Sequence, residues 1–180
     1  MHAIFSTKAK RVLDVGCGEG WLVRRLREVG IRAYGVDGSA ELIHLAARHG
    51  RYFHCLTYGE IIAGAELRDS PFDCIAINFA LFDQHQPLNL LHALKIHLEE
   101  KGTLVIQSLY PRIADGNGNW KQNALDGLPE RFVDGHPWYD RTLEEWNNLF
   151  SAAGWQLDRQ AITRHPMTEQ PCSMIFFLKK

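Results

Sequence analysis

The residues best suited to chemistry form a short glycine-rich segment near the start of the chain. Gly16, Gly18 and Gly20 alternate with other residues, directly after the predicted strand 10–15 and before a helical pattern that begins at Trp21. Glycine permits the sharp bend of a strand–turn–helix step, and it has no Cβ to collide with a ligand lying on the backbone. The segment therefore predicts a turn that cradles a nucleotide-like molecule.

An acidic residue follows at the distance such a turn requires. Asp37 ends the second predicted strand, 19 residues after Gly18. A carboxylate in that position can accept hydrogen bonds from both hydroxyls of a ribose. The strand, the turn, the helix and the acid together indicate a nucleoside site much more strongly than the glycines alone.

The spacing of the glycines favours a ligand without phosphates. Dinucleotide sites have the pattern GxGxxG, because a pyrophosphate rests on the N-terminus of the following helix. Here the pattern is GxGxG, and Glu19 lies where a pyrophosphate would be repelled. An NAD(P)-dependent oxidoreductase is therefore the less favoured alternative.

The run VLDVGCGEG closely resembles the first motif of the class I (Rossmann-like) S-adenosylmethionine-dependent methyltransferases. Four further stretches, 34–39, 71–75, 98–106 and 146–155, are similar to later motifs of that family, so the resemblance covers nearly the whole chain. It implies a small-molecule methyltransferase with S-adenosyl-L-methionine as cofactor and S-adenosyl-L-homocysteine as product. The implied fold is α/β and doubly wound, with three α/β/α layers around a mostly parallel seven-stranded sheet whose last strand is antiparallel.

The resemblance also implies roles for ten residues. Of the first four, all but Cys17 would surround the methionine end of the cofactor. The next two would hold the ribose, the next two would flank the adenine, and the last two would lie beside the methyl group. These cofactor-binding residues are Asp14, Gly16, Cys17, Gly18, Asp37, Gly38, Thr57, Tyr58, Asn78 and Phe79. Cys17 is interpreted as a packing residue of the turn rather than a nucleophile. The family often has an acidic residue that accepts the adenine amine, whereas the first acid after Thr57 here is Glu60.

Methyl transfer from a sulfonium is an in-line displacement, so positioning the acceptor supplies much of the acceleration. A general base helps only when the acceptor must lose a proton. The candidate catalytic residues are His85, near the end of the fourth predicted strand, and Tyr139. Alternatively, His85 is a histidine of a surface loop and Tyr139 is an aromatic residue of the core. The run 78–81 is not the Asn-Pro-Pro-Tyr signature of methyltransferases that act on amino groups, so an oxygen or activated carbon is favoured over nitrogen.

The predicted elements that position these residues alternate along the chain. The predicted strands are 10–15, 32–37, 52–56, 72–77, 103–109, 155–163 and 173–178, and the predicted helices are 21–29, 39–49, 60–67, 88–98 and 142–153. Such alternation favours a doubly wound sheet with the carboxyl ends of its parallel strands at one edge, where ligands bind.

We expect one methyltransferase domain spanning residues 1–180. Residues 110–141 lack a clear period and are interpreted as a lid or substrate loop, whose aromatic and histidine side chains either line a substrate pocket or anchor the loop. The aromatic and histidine side chains concerned are Trp120, Phe132, His136, Trp138 and Tyr139. The segment before the first strand is very short, so we expect an extension upstream, an open cleft or a covering subunit.

The composition of the chain limits the classes of partner, the compartment and the cofactors that are expected. Lys and Arg total 20 against 21 Asp and Glu, a net charge of −1, so nucleic acid is not expected as a partner. No apolar run approaches the roughly 20 residues that span a bilayer. The four cysteines form no CxxC pair, which favours a reducing cytoplasm and no metal site. A homodimer is left open, as is a non-catalytic partner subunit of the same fold.

Overall fold

The computed structural model describes residues 1–111, 118–121 and 138–180. Phe132 and His136 of the predicted lid lie outside these residues. The described strands are β1 (Arg11–Val15), β2 (Arg32–Asp37), β3 (Phe53–Cys55), β4 (Phe72–Asn78), β5 (Leu98–Leu109), β6 (Asn119–Lys121), β7 (Trp138–Asp140), β8 (Gln156–Arg164) and β9 (Pro171–Lys179). The described helices are α1 (His2–Phe5), α2 (Trp21–Glu28), α3 (Ala40–Ala47), α4 (Tyr58–Ile62), α5 (Gln86–Leu94) and α6 (Leu143–Ala152), with a 3₁₀ turn at Lys95–His97.

Seven strands form one sheet in the order β3-β2-β1-β4-β5-β9-β8. The pairs from β3 to β5 are parallel, and β9 is antiparallel to both β5 and β8. Because the strand order reverses between β1 and β4, the carboxyl ends of these two strands face a crevice where ligands bind in such sheets. The predicted fold class, including the antiparallel last strand, is confirmed.

Helices cover both faces of the sheet. On one face, residues of α4, α5 and α6 pack in a core that contains Phe72, Trp146 and Phe176. On the other face, α1, α2 and α3 pack in a second core that contains Val23 and Phe177. The predicted three-layer arrangement is therefore confirmed.

Several predicted boundaries were wrong, each for a local reason. The helix predicted over 60–67 begins at Tyr58, where Thr57 and Glu60 form a capping box, and ends at Ile62, just before Gly64 with φ +91°. The helix predicted over 88–98 spans Gln86–Leu94, and β5 begins at Leu98 rather than at residue 103. The predicted capping box of Thr142 and Glu145 is present at the start of α6.

The described part of the predicted lid contains a small antiparallel sheet that the sequence did not predict. In it, β6 pairs with β7, with Trp120 opposite Tyr139. The Tyr139 amide donates a hydrogen bond to the Phe82 carbonyl at 2.8 Å, and the Trp120 indole N–H donates one to the Gln84 side chain at 3.3 Å. These contacts attach the β6–β7 pair to the loop that follows β4.

Within the ranges that the structure describes, no helix is long and apolar enough to cross a membrane.

Phe176 lies at the centre of the aromatic part of the first core. Its side chain is fully buried, with ring centroids 5.5 Å from Trp146 and 5.0 Å from Phe150. We expect Phe176→Ala to lower the free energy of unfolding by about 3–5 kcal/mol, because the cavity cannot close fully. The control Leu143→Ala, at the exposed start of α6, should cost less than about 1 kcal/mol. Urea unfolding measures both changes, and equal losses would contradict this packing.

Candidate functional site

The glycine turn is bonded to the end of the neighbouring strand. The Gly16 and Cys17 amides both donate to the Val36 carbonyl, at 2.8 and 3.0 Å. Gly16, Gly18 and Gly20 have φ values of +77°, +55° and +79°, a conformation that L side chains rarely adopt. The turn thus lies across the carboxyl ends of β1 and β2, as the sequence predicted.

The three glycines serve different purposes. A Cβ on Gly16 would lie 2.5 Å from the Ala80 Cβ, and one on Gly20 would lie 2.3 Å from the Phe53 ring. A Cβ on Gly18, by contrast, would have no described atom within 4 Å. Two glycines are therefore required by packing, while the third leaves its backbone open to the crevice.

Asp37 joins the turn to the end of β2. One carboxylate oxygen accepts from the Gly18 amide at 2.9 Å, and the other accepts from the Ser39 amide at 2.8 Å. A carboxylate has about four acceptor positions, so two backbone bonds leave capacity for a diol. Gly38 is exposed beside it, and a Cβ there would lie 3.4 Å from Thr57. Asp37 can therefore position the turn and still accept ligand hydroxyls.

Asp14 is a buried carboxyl group beside the turn. It is 2% exposed, and its Oδ1 atom has no hydrogen-bond partner among the described residues. Burial, and secondly the charge of Asp37, raise its pKa from 3.8 to about 7. A ligand cation next to this group would favour its ionised form.

Cys17 packs beneath the turn. A Cβ on Gly35 would lie 2.7 Å from the Cys17 sulfur, so the thiol fills the space that this glycine leaves. Burial, and then the charges of Asp14 and Asp37, raise the pKa of the thiol. The thiol form predominates at neutral pH, which suits a packing residue rather than a nucleophile.

Thr57 and Tyr58 begin α4 at the edge of the crevice. Thr57 caps the helix, and its hydroxyl and amide both bond the Glu60 carboxylate, at 2.7 and 2.8 Å. The Tyr58 hydroxyl donates to the Ala80 carbonyl at 2.9 Å, and it would lie 2.9 Å from a Cβ on Gly16. Tyr58 therefore connects α4 to the loop after β4, directly beside the glycine turn.

Asn78 ends β4 on the opposite side of the crevice, and Phe79 follows it. The Asn78 Oδ1 atom is buried without a hydrogen-bond partner in the described part of the chain. Phe79 has φ +50°, its amide donates to the Gln107 carbonyl at 2.9 Å, and its ring is 37% exposed. A bulky residue in this conformation marks a strained point of the kind that clusters at ligand sites.

The two predicted catalytic residues lie on either side of the same loop. His85 is exposed at the start of α5, and its amide donates to the Asp83 carboxylate at 2.8 Å. Tyr139 is 7% exposed, and its hydroxyl donates to the Glu145 carboxylate at 2.9 Å. Burial, and then Glu145, raise the pKa of Tyr139. His85 is therefore accessible, whereas Tyr139 is held in place.

Arg141 is a positioning residue that no pattern in the sequence indicates. It is 4% exposed, and its guanidinium donates to the backbone carbonyls of Leu81, Asp83 and Gln84 in the loop after β4. It also lies over the Trp146 ring, 5.0 Å from the centroid. A single arginine next to a long loop carries no pattern, so its partners are visible only in the fold.

In the described part of the chain, cavities lie on both faces of the sheet. One of about 170 Å³ opens between α1, α2 and the ends of β4 and β5, and Asn78 lines it. Another, of about 800 Å³, lies on the face of α4 and α5, where His54 and His97 line it. The smaller cavity includes Asn78, which is predicted to lie beside the methyl group of the cofactor.

A family model and two curated relatives that match this chain all indicate a methyltransferase. The model of a family described as a methyltransferase domain matches residues 2–160. An uncharacterized methyltransferase of Schizosaccharomyces pombe is 23% identical over 84% of this chain and 61% of its own length. The ubiquinone biosynthesis O-methyltransferase of Bradyrhizobium diazoefficiens is 30% identical over 77% of this chain and 52% of its own. The chain thus spans about half to three fifths of the length of these two relatives.

Solved structures agree on the fold. A methyltransferase of Methanosarcina mazei, described as SAM-dependent, superposes with a TM-score of 0.78 at 15% identity, covering 100% of this chain and 97% of the other. At this level of identity, the similarity is evidence for the fold alone.

The raised pKa of Asp14 makes stability depend on pH. Between its ordinary pKa of 3.8 and about 7, the folded protein keeps a proton that the unfolded chain releases, so the fold loses stability as pH rises. We expect Asp14→Asn to gain stability over the wild type by about 1.4 kcal/mol per pH unit in that range. Urea unfolding at a series of pH values measures the difference.

The matched control is Asp158→Asn, which changes an aspartate whose side chain is 51% exposed on β8. Its difference from the wild type should stay constant over the same range. A constant difference for Asp14→Asn as well would contradict the burial of an uncompensated carboxyl group.

Proposed function

Since this chain belongs to the class I S-adenosylmethionine-dependent methyltransferases, we propose that it transfers the methyl group of S-adenosylmethionine to a small-molecule acceptor. The observation that carries the proposal is the glycine turn, with Gly18 open to the crevice between Asp14 and Asp37. The charges suit this cofactor, which has an ammonium and a sulfonium and no phosphate.

The residues present fit the cofactor from end to end. Gly16 and Gly18 leave backbone exposed for the methionine part, and Asp14 supplies negative charge for the ammonium. Asp37 has acceptor capacity left for the ribose hydroxyls, and the exposed Gly38 leaves room beside it. Thr57 forms the wall behind Gly38, on the adenine side.

Bound S-adenosylmethionine supplies an electrophilic methyl group, and S-adenosylhomocysteine is the product. The protein's task is to hold the acceptor atom in line with that group, since alignment supplies most of the rate. Asn78 and Phe79 face the acceptor, and Arg141 fixes the loop that follows them. His85, accessible on the same loop, takes the proton of an acceptor that must lose one. Tyr139, bonded to Glu145, forms a fixed wall on the acceptor side.

We propose oxygen or an activated carbon as the methylated atom, in preference to nitrogen. The sequence after β4 lacks the Asn-Pro-Pro-Tyr signature. The relative from Bradyrhizobium diazoefficiens is named as an O-methyltransferase. We further propose a cytoplasmic protein, acting alone or as a homodimer. Neither a partner-subunit role nor a dinucleotide oxidoreductase gains support from the comparisons.

Thermal shift with S-adenosylhomocysteine, NAD and NADP tests the cofactor, and release of S-adenosylhomocysteine in the presence of a metabolite pool tests the activity. We expect stabilisation by S-adenosylhomocysteine alone, and turnover with at least one pool. Stabilisation by NAD alone would exclude the proposed function. Binding without turnover across broad pools would support a partner role.

A pair of glycine variants locates the cofactor. Gly18 and Gly30 both have positive φ, and at both positions a Cβ would meet no described atom within 4 Å. Each change to alanine should therefore cost about 1–2 kcal/mol of stability through backbone strain. Gly18→Ala should also weaken S-adenosylhomocysteine binding by more than about tenfold, because its methyl group enters the crevice.

Isothermal titration calorimetry measures both affinities, with Gly30→Ala as the control for strain. Equal affinity in the two variants would place the cofactor away from the glycine turn.

A further inference from the structure

Tyr58 and Thr57 are neighbours in the chain, but their side chains face different parts of the crevice. A Cβ on Gly38 would lie 3.4 Å from the Cα and Cγ2 atoms of Thr57, which places Thr57 beside the residue that follows β2. The Tyr58 hydroxyl reaches the first glycine of the turn instead, since a Cβ on Gly16 would lie 2.9 Å from it. Thr57 is therefore next to the side proposed for the ribose and adenine, and Tyr58 is next to the side proposed for the methionine part.

The Tyr58 hydroxyl lies where the glycine turn meets the loop after β4. It donates a hydrogen bond to the Ala80 carbonyl at 2.9 Å. The Ala80 methyl group packs so closely on the turn that a Cβ on Gly16 would lie 2.5 Å from it. Burial, and then the charges of Asp37 and Asp14, raise the pKa of Tyr58, so the hydroxyl keeps its proton beside both carboxyl groups of the site. One hydroxyl group thus connects the turn, the loop and the charged part of the crevice.

The hydrogen bond to Ala80 also acts on a strained residue. Phe79 has φ +50°, a conformation that is unfavourable for a bulky L residue. Its amide donates to the Gln107 carbonyl at 2.9 Å, and the carbonyl of the next residue, Ala80, accepts from Tyr58. A hydrogen bond on each side of Phe79 therefore opposes its relaxation.

The rest of the loop is held by other donors. Each of the four carbonyls that follow Ala80 accepts a hydrogen bond from a residue near the start of α6: the Arg141 guanidinium donates to three of them and the Tyr139 amide to one. These four carbonyls belong to Leu81, Phe82, Asp83 and Gln84. Loss of the Tyr58 hydroxyl should therefore release Ala80 from the turn while the following residues stay in place.

We propose that Tyr58 is a positioning residue for the methionine end of the cofactor: its hydroxyl holds Ala80 against Gly16 and so fixes the side of the crevice along which the amino-acid part of S-adenosylmethionine lies. The inference rests on the proposed function, because it assigns a task within the same site. It also divides the start of α4, since Thr57 faces the ribose and adenine while Tyr58 acts through Ala80 at the opposite end of the cofactor.

The size of the expected effect follows from the equilibrium between the held and the released loop. A neutral hydrogen bond shifts such an equilibrium by about two- to tenfold, and relief of the strain at Phe79 favours the released state as well. Affinity falls in proportion to the fraction of the protein that is competent to bind. Tyr58→Phe should therefore weaken S-adenosylhomocysteine binding by about fivefold.

Equilibrium dialysis with two ligands tests which end of the cofactor Tyr58 serves. Methylthioadenosine has the adenosine of S-adenosylhomocysteine and lacks the amino-acid part, so its affinity should change by less than about twofold in Tyr58→Phe. The matched control is Tyr52→Phe, which removes a hydroxyl that donates to the His49 carbonyl, just before β3 and away from the crevice. In that control, both affinities should stay within about twofold of the wild type.

Ala80→Gly is an independent variant in which Tyr58 is intact. It removes the methyl group that packs against Gly16 and loosens the backbone there. It should therefore cause the same selective loss of S-adenosylhomocysteine affinity. Urea unfolding shows whether each variant is folded, and Ala80→Gly decides the question if Tyr58→Phe is not.

Two results would overturn the inference. An equal loss of affinity for both ligands in Tyr58→Phe would assign Tyr58 to the adenosine half of the site, and unchanged affinity for both would leave it without a part in cofactor binding. Either result leaves the proposed function intact. Failure of the wild type to bind S-adenosylhomocysteine at all would instead remove the proposed function, whatever the variants show.

Discussion

The hydrogen bonds between the glycine turn and the end of β2 are the constraint on which the site depends. Val36 accepts from two amides of the turn, and the Asp37 carboxylate accepts from a third, that of Gly18. These three hydrogen bonds hold the turn against the end of β2. Gly16 and Gly20 let the loop after β4 and the Phe53 ring approach closely, so the crevice is shaped by the same contacts that hold the fold together.

The charge arrangement follows from that geometry. Because the turn brings β1 and β2 together at their carboxyl ends, Asp14 and Asp37 are near enough for the charge of one to raise the pKa of the other. A buried carboxyl group with an unbonded oxygen is unfavourable, and a positively charged ligand beside it would offset that cost. Destabilisation of this kind is common at functional sites, where part of the binding energy serves to ionise or order the group.

Local patterns predicted the fold well, because the glycine turn, the acid at the end of β2 and the alternating strands each depend on neighbouring residues. They did not predict Arg141, whose carbonyl partners Leu81, Asp83 and Gln84 are almost 60 residues away. Nor did they predict the β6–β7 pair, or the unbonded oxygen of Asn78, since both depend on contacts between distant segments. The end of α4 was missed because the positive φ of Gly64 outweighed the apolar pattern beyond it.

The dependence of S-adenosylmethionine affinity on pH tests the central claim, that the turn and its two carboxylates hold a cationic cofactor. If the pKa of Asp14 is about 7 in the free protein, affinity should rise about fiftyfold between pH 5 and pH 7, where an α-ammonium stays charged. Asp14→Asn should show little of this rise, and neither should the wild type with methylthioadenosine, which lacks the amino-acid part. An affinity for S-adenosylmethionine that is independent of pH in the wild type, or that rises equally in Asp14→Asn, would contradict the account.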